Sequence, residues 1–504
     1  MEFGVFSFIV LISVFVLVLV VRKLTNFSKI NKPKLNLPPG PRKLPFIGSL
    51  HLFAGSNPPH RTLRDLAKKY GPLMHLQLGE VNIIVASSSE TARQFLKTHD
   101  IDFASRSTVL MSEICCYGNK DIVFAPYSEY WRQMRKICTL ELLSAKRVES
   151  FRPIREEEMS DLCRWIVLQE GSPINLTQKL CMANYEIMAR ATFGKKTEEH
   201  VKFIAIVKEG MEFMSTFHIA DVYPSLKLLS WITGLKRKLE RVHQQTDRII
   251  GNIIEEHRRV DAADRGNHED LADVLLRVRD SGSLELPLTI ENIKAVLADM
   301  FGGGIEAPTT TIDWAMAEMV RNPSVLIKAQ DEVRQVFDGK GRVNEAYFDE
   351  LKYLKLVIKE TLRLHPPGAL LLPRQNKERY EINGYEIPAR SRVLVNVWAI
   401  GTDSEYWEDA EEFKPERFLE KQVDFQGNCL EFIPFGAGRR ICPGISFAIA
   451  NVELALAMLL YHFDWILPNG MKPEEMDMTE FSGVSARRKA NLYVIPIVRR
   501  PFSS

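Results

Sequence analysis

The run Phe435-Gly436-Ala437-Gly438-Arg439-Arg440-Ile441-Cys442-Pro443-Gly444 sets one cysteine in a turn-rich loop directly before a strongly apolar stretch, Ile445 to Tyr461. Glycine and proline at this density shape a tight loop that ends where a helix begins. Backbone N–H groups there can point at a sulfur, and a helix N-terminus favours the anion. Such a loop can hold a thiolate as the axial ligand of an iron, and thiolate donation into iron favours O–O cleavage. A cysteine kept on a Gly-rich turn for packing alone is the plainer alternative.

Three further segments carry charge in suggestive patterns. Glu360 and Arg363 lie three apart in a helical pattern ending at His365-Pro366-Pro367, so they face the same way and can pair. Alone they would read as an ordinary surface pair. Pro415-Glu416-Arg417-Phe418 supplies another arginine, and Tyr130-Trp131-Arg132-Gln133-Met134-Arg135 sets Trp131 and Arg135 one helical turn apart.

With Phe435, Gly438, Arg440, Cys442 and Gly444 matching Phe-x-x-Gly-x-Arg-x-Cys-x-Gly at every position, the chain resembles the cytochrome P450 family. Within it, the chain resembles the plant microsomal terpenoid-hydroxylase branch, through Leu63 to Glu80, Trp131 to Cys138 and Pro434 to Ser446. The resemblance runs from the N-terminus to the end, with the motifs in the family's order. It implies haem b (iron protoporphyrin IX) bound through Cys442, with Phe435 and Gly444 shaping the loop. It further implies that Trp131, Arg135, Arg374 and Arg440 face the haem propionates, and that Glu360, Arg363 and Arg417 form a triad bracing the cysteine loop.

A long helical pattern from Thr289 to Arg321 carries Gly302, Gly303, Gly304 and Pro308 near its middle. Interior glycines cost about 1 kcal/mol each and a proline about 3 kcal/mol. That is large beside a net stability of about 5–15 kcal/mol, so a use is expected, a packing kink being the alternative. The resemblance supplies one: a dioxygen groove over the iron, with Gly304 and the acid Glu306 matching the family motif. The motif's threonine is here Ala307, followed by Pro308. Alanine cannot relay a proton. Proline also lacks the N–H that would bond the Gly304 carbonyl, which is expected to turn toward the pocket and hold a water. A substrate hydroxyl, that water or Thr309 is expected to substitute.

The resemblance draws pocket residues from five segments and implies Leu110, Phe213, Phe217, Ala298, Ile305, Ala369, Leu370 and Phe481 as lining. They are mostly apolar, which suits a small hydrophobic substrate, by resemblance a terpenoid, although the same branch also oxidises indole alkaloids. Gly302 to Ile305 lies within a helix and not after a strand, so it is no dinucleotide fingerprint. Electrons must come from outside, by resemblance from NADPH through a separate NADPH-cytochrome P450 reductase. Arg132, Lys136, Lys146, Arg147 and Arg439 could dock that acidic partner.

The elements that must position these groups read as mainly α with a small β portion. Helices are expected over Arg61 to Tyr70, Tyr130 to Leu143, Val201 to Thr216, Leu235 to His257, Thr289 to Arg321, Leu351 to Leu364 and Ile445 to Tyr461. Strands are expected over Val81 to Ala86, Tyr380 to Ile387 and Arg392 to Val397, and a polar surface loop over Asp261 to Asp270. Phe3 to Val21 is free of charge and long enough, at roughly 28 Å, to cross a bilayer. Arg22, Lys23, Lys29, Lys32 and Lys34 follow, so the body is expected on the cytosolic side of the endoplasmic reticulum as a single-pass protein in contact with membrane lipid. No small-residue cleavage site precedes the basic cluster. The expected organisation is a transmembrane signal anchor at 1–23, a basic linker and proline-rich hinge at 24–43, and a haem-thiolate catalytic domain of cytochrome P450 fold at 44–504.

Bulk properties agree. Apolar residues make up 45% of 504, enough for a large core, and a net charge of +2 gives no reason to expect nucleic acid. Seven cysteines at irregular spacing suit a reducing compartment, and the sequons at Asn26 and Asn175 would then stay unmodified.

The leading expectation is an NADPH-dependent monooxygenase. Open alternatives are an unusual oxidation such as desaturation or ring formation, isomerase or lyase chemistry without external electrons, and a non-catalytic haem sensor.

Overall fold

The computed structural model describes residues 35–194, 198–214, 218–226, 233–259, 269–282, 284–481, 483 and 485–501. The expected anchor at 1–23, the linker up to residue 34 and most of the polar loop at 261–270 lie outside the described residues. The hinge from Pro38 to Pro41 runs beside the strand Leu73–Leu78, where Pro39 O accepts from His75 N–H at 2.9 Å. A Cβ at Gly40 would meet His75 O at 2.0 Å, so only glycine lets the two backbones pass.

Helices dominate. The helix Ile290–Arg321 is capped by Thr289, whose hydroxyl accepts from Asn292 N–H while Asn292 returns the bond to Thr289 N–H. It packs on the helix Leu176–Phe193 and on the helix Ile445–His462, which follows the cysteine loop. These faces form one continuous core. Ile445–His462 is long and apolar enough to span a membrane, yet it is mostly buried inside the protein. A helix apolar all round belongs in such a core.

The β portion is small. One sheet runs Leu73–Leu78, Val81–Ala86, Arg392–Val395, Arg374–Gln375, with an antiparallel first pair (Leu73 opposite Ala86), a parallel second and an antiparallel third. A second sheet orders Ile174–Asn175, Tyr493–Val498 and Phe463–Ile466.

Several boundaries differ from expectation for local reasons. Tyr380 to Ile387 is a hairpin, with strands Tyr380–Ile382 and Tyr385–Ile387. Asn383 and Gly384 both take positive φ (52° and 77°), the signature of a two-residue hairpin turn. The strand from Arg392 stops at Val395, because the Asn396 side chain accepts from Ala399 N–H and opens the helix Val397–Gly401. The helix expected over Tyr130 to Leu143 is α over Glu129–Ile137 and then widens into a π turn over Cys138–Leu142. The helix expected over Val201 to Thr216 is described as Glu198–Met214.

Candidate active site

The cysteine loop is folded by its own backbone. Cys442 N–H donates to Phe435 O at 3.0 Å, Gly436 N–H to Ile433 O at 2.9 Å, and Ile441 N–H to Gly438 O at 3.0 Å. Gly436 and Gly438 both take positive φ, 74° and 70°. Phe435 meets Phe425 edge to face at 5.5 Å, which closes one side of the loop. Burial pushes the Cys442 thiol up, while the Gly444 N–H and the Arg135 guanidinium favour the thiolate. Gly444 ends the loop at the first turn of Ile445–His462, its carbonyl accepting from Ala448 N–H.

Around this loop lies a set of guanidiniums, Arg374 buried and Arg106, Arg135 and Arg440 half-buried. Arg374 donates to Asp100 at 2.5 Å, to Phe95 O at 3.3 Å and to Ala437 O at 2.7 Å, which ties it to the cysteine loop. Arg440 donates to three carbonyls, Ala104, Ile122 and Ala125, and its guanidinium lies 4.1 Å from the centre of the Trp131 ring. The Trp131 indole N–H donates to the same Ile122 carbonyl at 2.9 Å. Arg106 donates to the Val123, Leu372 and Pro373 carbonyls. Burial and the Arg374 charge lower Arg440 to about 9, and burial with Arg440 and Arg374 drives Arg106 well down. Arg135 is lowered chiefly by burial and raised by Cys442.

Buried and half-buried cations crowded against each other call for an anion. A flat iron macrocycle with two carboxylates, bound through the Cys442 sulfur, fits this donor set. Arg106 was not legible beforehand: it sits in Phe103-Ala104-Ser105-Arg106 without periodicity or motif to mark it.

Glu360, Arg363 and Arg417 come together in one buried cluster. The Glu360 carboxylate accepts from Arg363 twice, both at 2.8 Å, from Arg417 Nε at 2.9 Å and from Lys414 N–H at 2.8 Å. Arg363 also donates to the carbonyls of Gly401, Ala410 and Glu412.

The helix Ile290–Arg321 divides its glycines between two faces. A Cβ at Gly303 meets nothing within 4 Å, whereas one at Gly304 would strike Met188 Sδ at 2.5 Å. Gly303 therefore faces the groove, and Gly304 is small so that Leu176–Phe193 can pack closely. Pro308, one turn on, lies inside the helix and is buried. The expected role of Thr309 is corrected. Its hydroxyl donates to Ile305 O at 2.8 Å and accepts from Asn184 Nδ2 at 3.1 Å, inside the core. Ala307 shares the Gly303 face, one turn away. Burial pushes the Glu306 carboxyl up, opposed by Arg487 and Lys208.

Among the expected lining residues, Leu110 and Phe213 share one apolar cluster, and Ala298 packs at the edge of the main core. Ala369 packs with Trp398 and Ala486, and Leu370 lies against the sheet. Ile305 is buried in the helix core, because it lies two residues past Gly303 and so on another face. Phe481 is 39% exposed, with the Arg487 guanidinium 4.4 Å from its ring centre. Phe217 lies outside the described residues.

Comparison with known proteins places this geometry. The chain is 51% identical over 500 residues to salviol synthase of Salvia pomifera, covering 99% of each chain. It is 50% identical over 500 residues to premnaspirodiene oxygenase of Hyoscyamus muticus, covering 98% of this chain and 99% of that one. A zebra fish cytochrome P450 solved with progesterone superposes with a TM-score of 0.77 at 26% identity, covering 88% of this chain and all of the other. The family model for cytochrome P450 matches residues 38–494, and a cysteine loop and distal helix set as described above are what such a match demands: this chain belongs to the cytochrome P450 family and is a monooxygenase of that family.

Proposed function

We propose that the protein binds haem b through Cys442 and inserts one oxygen atom of dioxygen into a small hydrophobic plant metabolite of terpenoid class. The observation that carries this is the Cys442 thiol, half-buried at a helix start under the Gly444 N–H and beside Arg135. When bound, the haem supplies reductive activation of dioxygen at a thiolate-ligated iron. Arg106, Arg374, Arg440 and Trp131 hold its anionic edge, and Arg135 steadies the negative charge on the sulfur. Glu360, Arg363 and Arg417 keep the loop's outer wall from shifting. Gly303 leaves room over the ring, Ala298 and Leu110 exclude water, and Glu306, its carboxyl pushed up by burial, is placed to pass a proton toward the groove. The terpenoid class is supported by similarity to premnaspirodiene oxygenase.

NADPH supplies two electrons through a separate reductase, and the second oxygen atom leaves as water. Arg132, Lys136, Lys146 and Arg439 are exposed and form the face for that acidic partner. Residues 1–23 anchor the chain in the endoplasmic reticulum membrane, 24–43 form the linker and hinge, and 44–504 form the catalytic domain in the cytosol. Microsomes carrying the protein with the reductase, fed terpene hydrocarbons and indole alkaloids, are expected to yield a terpenoid one oxygen heavier, only with NADPH. Turnover without NADPH would replace this function by isomerase or lyase chemistry.

Position 307 offers no hydroxyl, and Thr309 is engaged elsewhere, so a substrate hydroxyl or a groove water serves in its place. A positioned proton donor is worth about 10²–10⁴ in rate. Ala307→Thr is therefore expected to change the product formed per NADPH consumed by at least about twofold. An unchanged ratio with unchanged products would remove any special role for Ala307.

A further inference from the structure

Asp299 is the only acid in the apolar run Ala295 to Phe301 and lies one turn before Gly303, on the groove face of the helix Ile290–Arg321. Its Oδ2 accepts from the N–H groups of Ile122 (2.8 Å) and Val123 (3.2 Å). The carbonyls of those two residues are the ones that accept from the cations: Ile122 O from Trp131 Nε1 and Arg440 Nη1, Val123 O from Arg106 Nε. Through Val123 N–H, Asp299 thus backs the peptide whose carbonyl, Ile122 O, holds Arg440 and Trp131, while the next peptide, whose Val123 carbonyl holds Arg106, has its Phe124 N–H on Asp121 Oδ2.

We infer that Asp299 is a positioning residue, which through the Ile122–Val123 peptide sets where Arg440 and Trp131 meet the anionic edge of the cofactor, with its partner Asp121 doing the same for Arg106 through the Val123–Phe124 peptide. The inference rests on the haem reading above.

Asp299 does not act alone. Its carboxyl meets that of Asp121, which is 1% exposed, is faced by the Cys116 thiol, and whose Oδ1 accepts no hydrogen bond by geometry among the described residues. The other oxygen, Oδ2, accepts from Phe124 N–H at 3.0 Å. Two carboxyls in contact in a buried place do not both ionise, and an oxygen without a donor beside another carboxyl is where a shared proton belongs. Burial, and then the partner's charge, hold Asp299 well up, and burial raises Asp121. The other titratable or charged groups facing the pair are Cys116, Cys138, Tyr130, Arg440 and Arg106. Both thiols are raised by burial, so they stay neutral. The pair then carries one proton and one negative charge, set opposite two arginines that otherwise meet carbonyls.

A shared proton makes a specific demand on substitutions. In Asp299→Asn the amide oxygen can still accept from Ile122 N–H, and the amide N–H takes over the donor role toward an ionised Asp121, so both charge and positioning survive. In Asp299→Leu both are lost. The holoprotein is therefore examined in two ways. The wild-type minus Asp299→Asn infrared difference spectrum at neutral pH is expected to show the carbonyl stretch of a protonated carboxylic acid, shifting in D₂O. Haem transfer from the holoprotein to apomyoglobin is expected to be about tenfold faster for Asp299→Leu and within about twofold of wild type for Asp299→Asn. If the leucine variant does not fold, Asp299→Ala reads the same rate. Haem release at the wild-type rate from the leucine or alanine variant would overturn the inference, as would asparagine releasing as fast as leucine, or a difference spectrum without the acid band. The infrared band reads the carboxyl pair directly. A wild-type protein that shows the band but binds no thiolate-ligated haem would sink the haem reading while leaving the proton-sharing pair in place.

Discussion

Glu360→Ala is expected to destabilise the protein by about 3–5 kcal/mol, the cost of leaving a buried charge without its partner. Glu360 and Arg363 are both fully buried, and Arg417 is nearly so. Removing the carboxylate strands two guanidiniums in the interior. The Gly401, Ala410 and Glu412 carbonyls still accept from Arg363, but they carry no full charge. With a net stability of about 5–15 kcal/mol, such a loss consumes a large part of the margin. Glu360→Gln keeps the shape and one acceptor, yet turns an amide N–H toward the arginines, so an intermediate loss is expected. Denaturant midpoints of the holoproteins, with haem content per protein, check both. A Glu360→Ala protein as stable as wild type would show that the triad contributes no net stability.

Gly438→Val is expected to empty the cysteine loop of cofactor while the helices fold. Gly438 sits at φ 70°, where an L-residue costs about 1–2 kcal/mol. A Cβ there would also meet Leu96 O at 2.2 Å and Asp100 Oδ1 at 2.7 Å. Neither can yield cheaply. Leu96 O is backbone, and Asp100 is already gripped by Arg374 and by the Arg439 N–H. The loop must open, and the Arg374 and Arg440 contacts open with it. At about 2 kcal/mol or more, haem occupancy under limiting haem should fall roughly thirtyfold. The ratio of haem to protein absorbance reads the loss, and far-ultraviolet circular dichroism shows that helix content is kept. Full occupancy in the valine variant would mean that the loop tolerates other conformations.

Much of this was legible in the sequence, for definite reasons. The cysteine loop showed itself through glycine, proline and arginine spacing, and the helices through apolar periodicity. Strand Val81–Ala86 was readable because β-branched residues follow the turn at Gly79. What sequence reading missed depended on helix azimuth and on contacts distant along the chain. Gly303 and Gly304 look alike in a row of three, but neighbours differ by about 100° around a helix, and Met188 decides which one is needed for packing. Thr309 looked available as a hydroxyl because Asn184, its partner, lies 125 positions away. Arg106 gave no cue at all. Asp299 carries one: a lone acid in an apolar helical run must find partners, and it finds them in the Ile122 and Val123 N–H groups. The Tyr380 to Ile387 hairpin carries its own marker in Asn383-Gly384, a two-residue turn in the middle of the expected strand.

The reduced protein under carbon monoxide gives the most direct measurement, made on wild type and on Cys442→Ala. Sulfur ligation predicts the long-wavelength Soret band of thiolate-bound haem in wild type, and its complete loss in the alanine variant with the rest of the fold retained. A wild-type spectrum without that band, or an alanine variant that keeps it, would contradict the assignment of Cys442 to the iron.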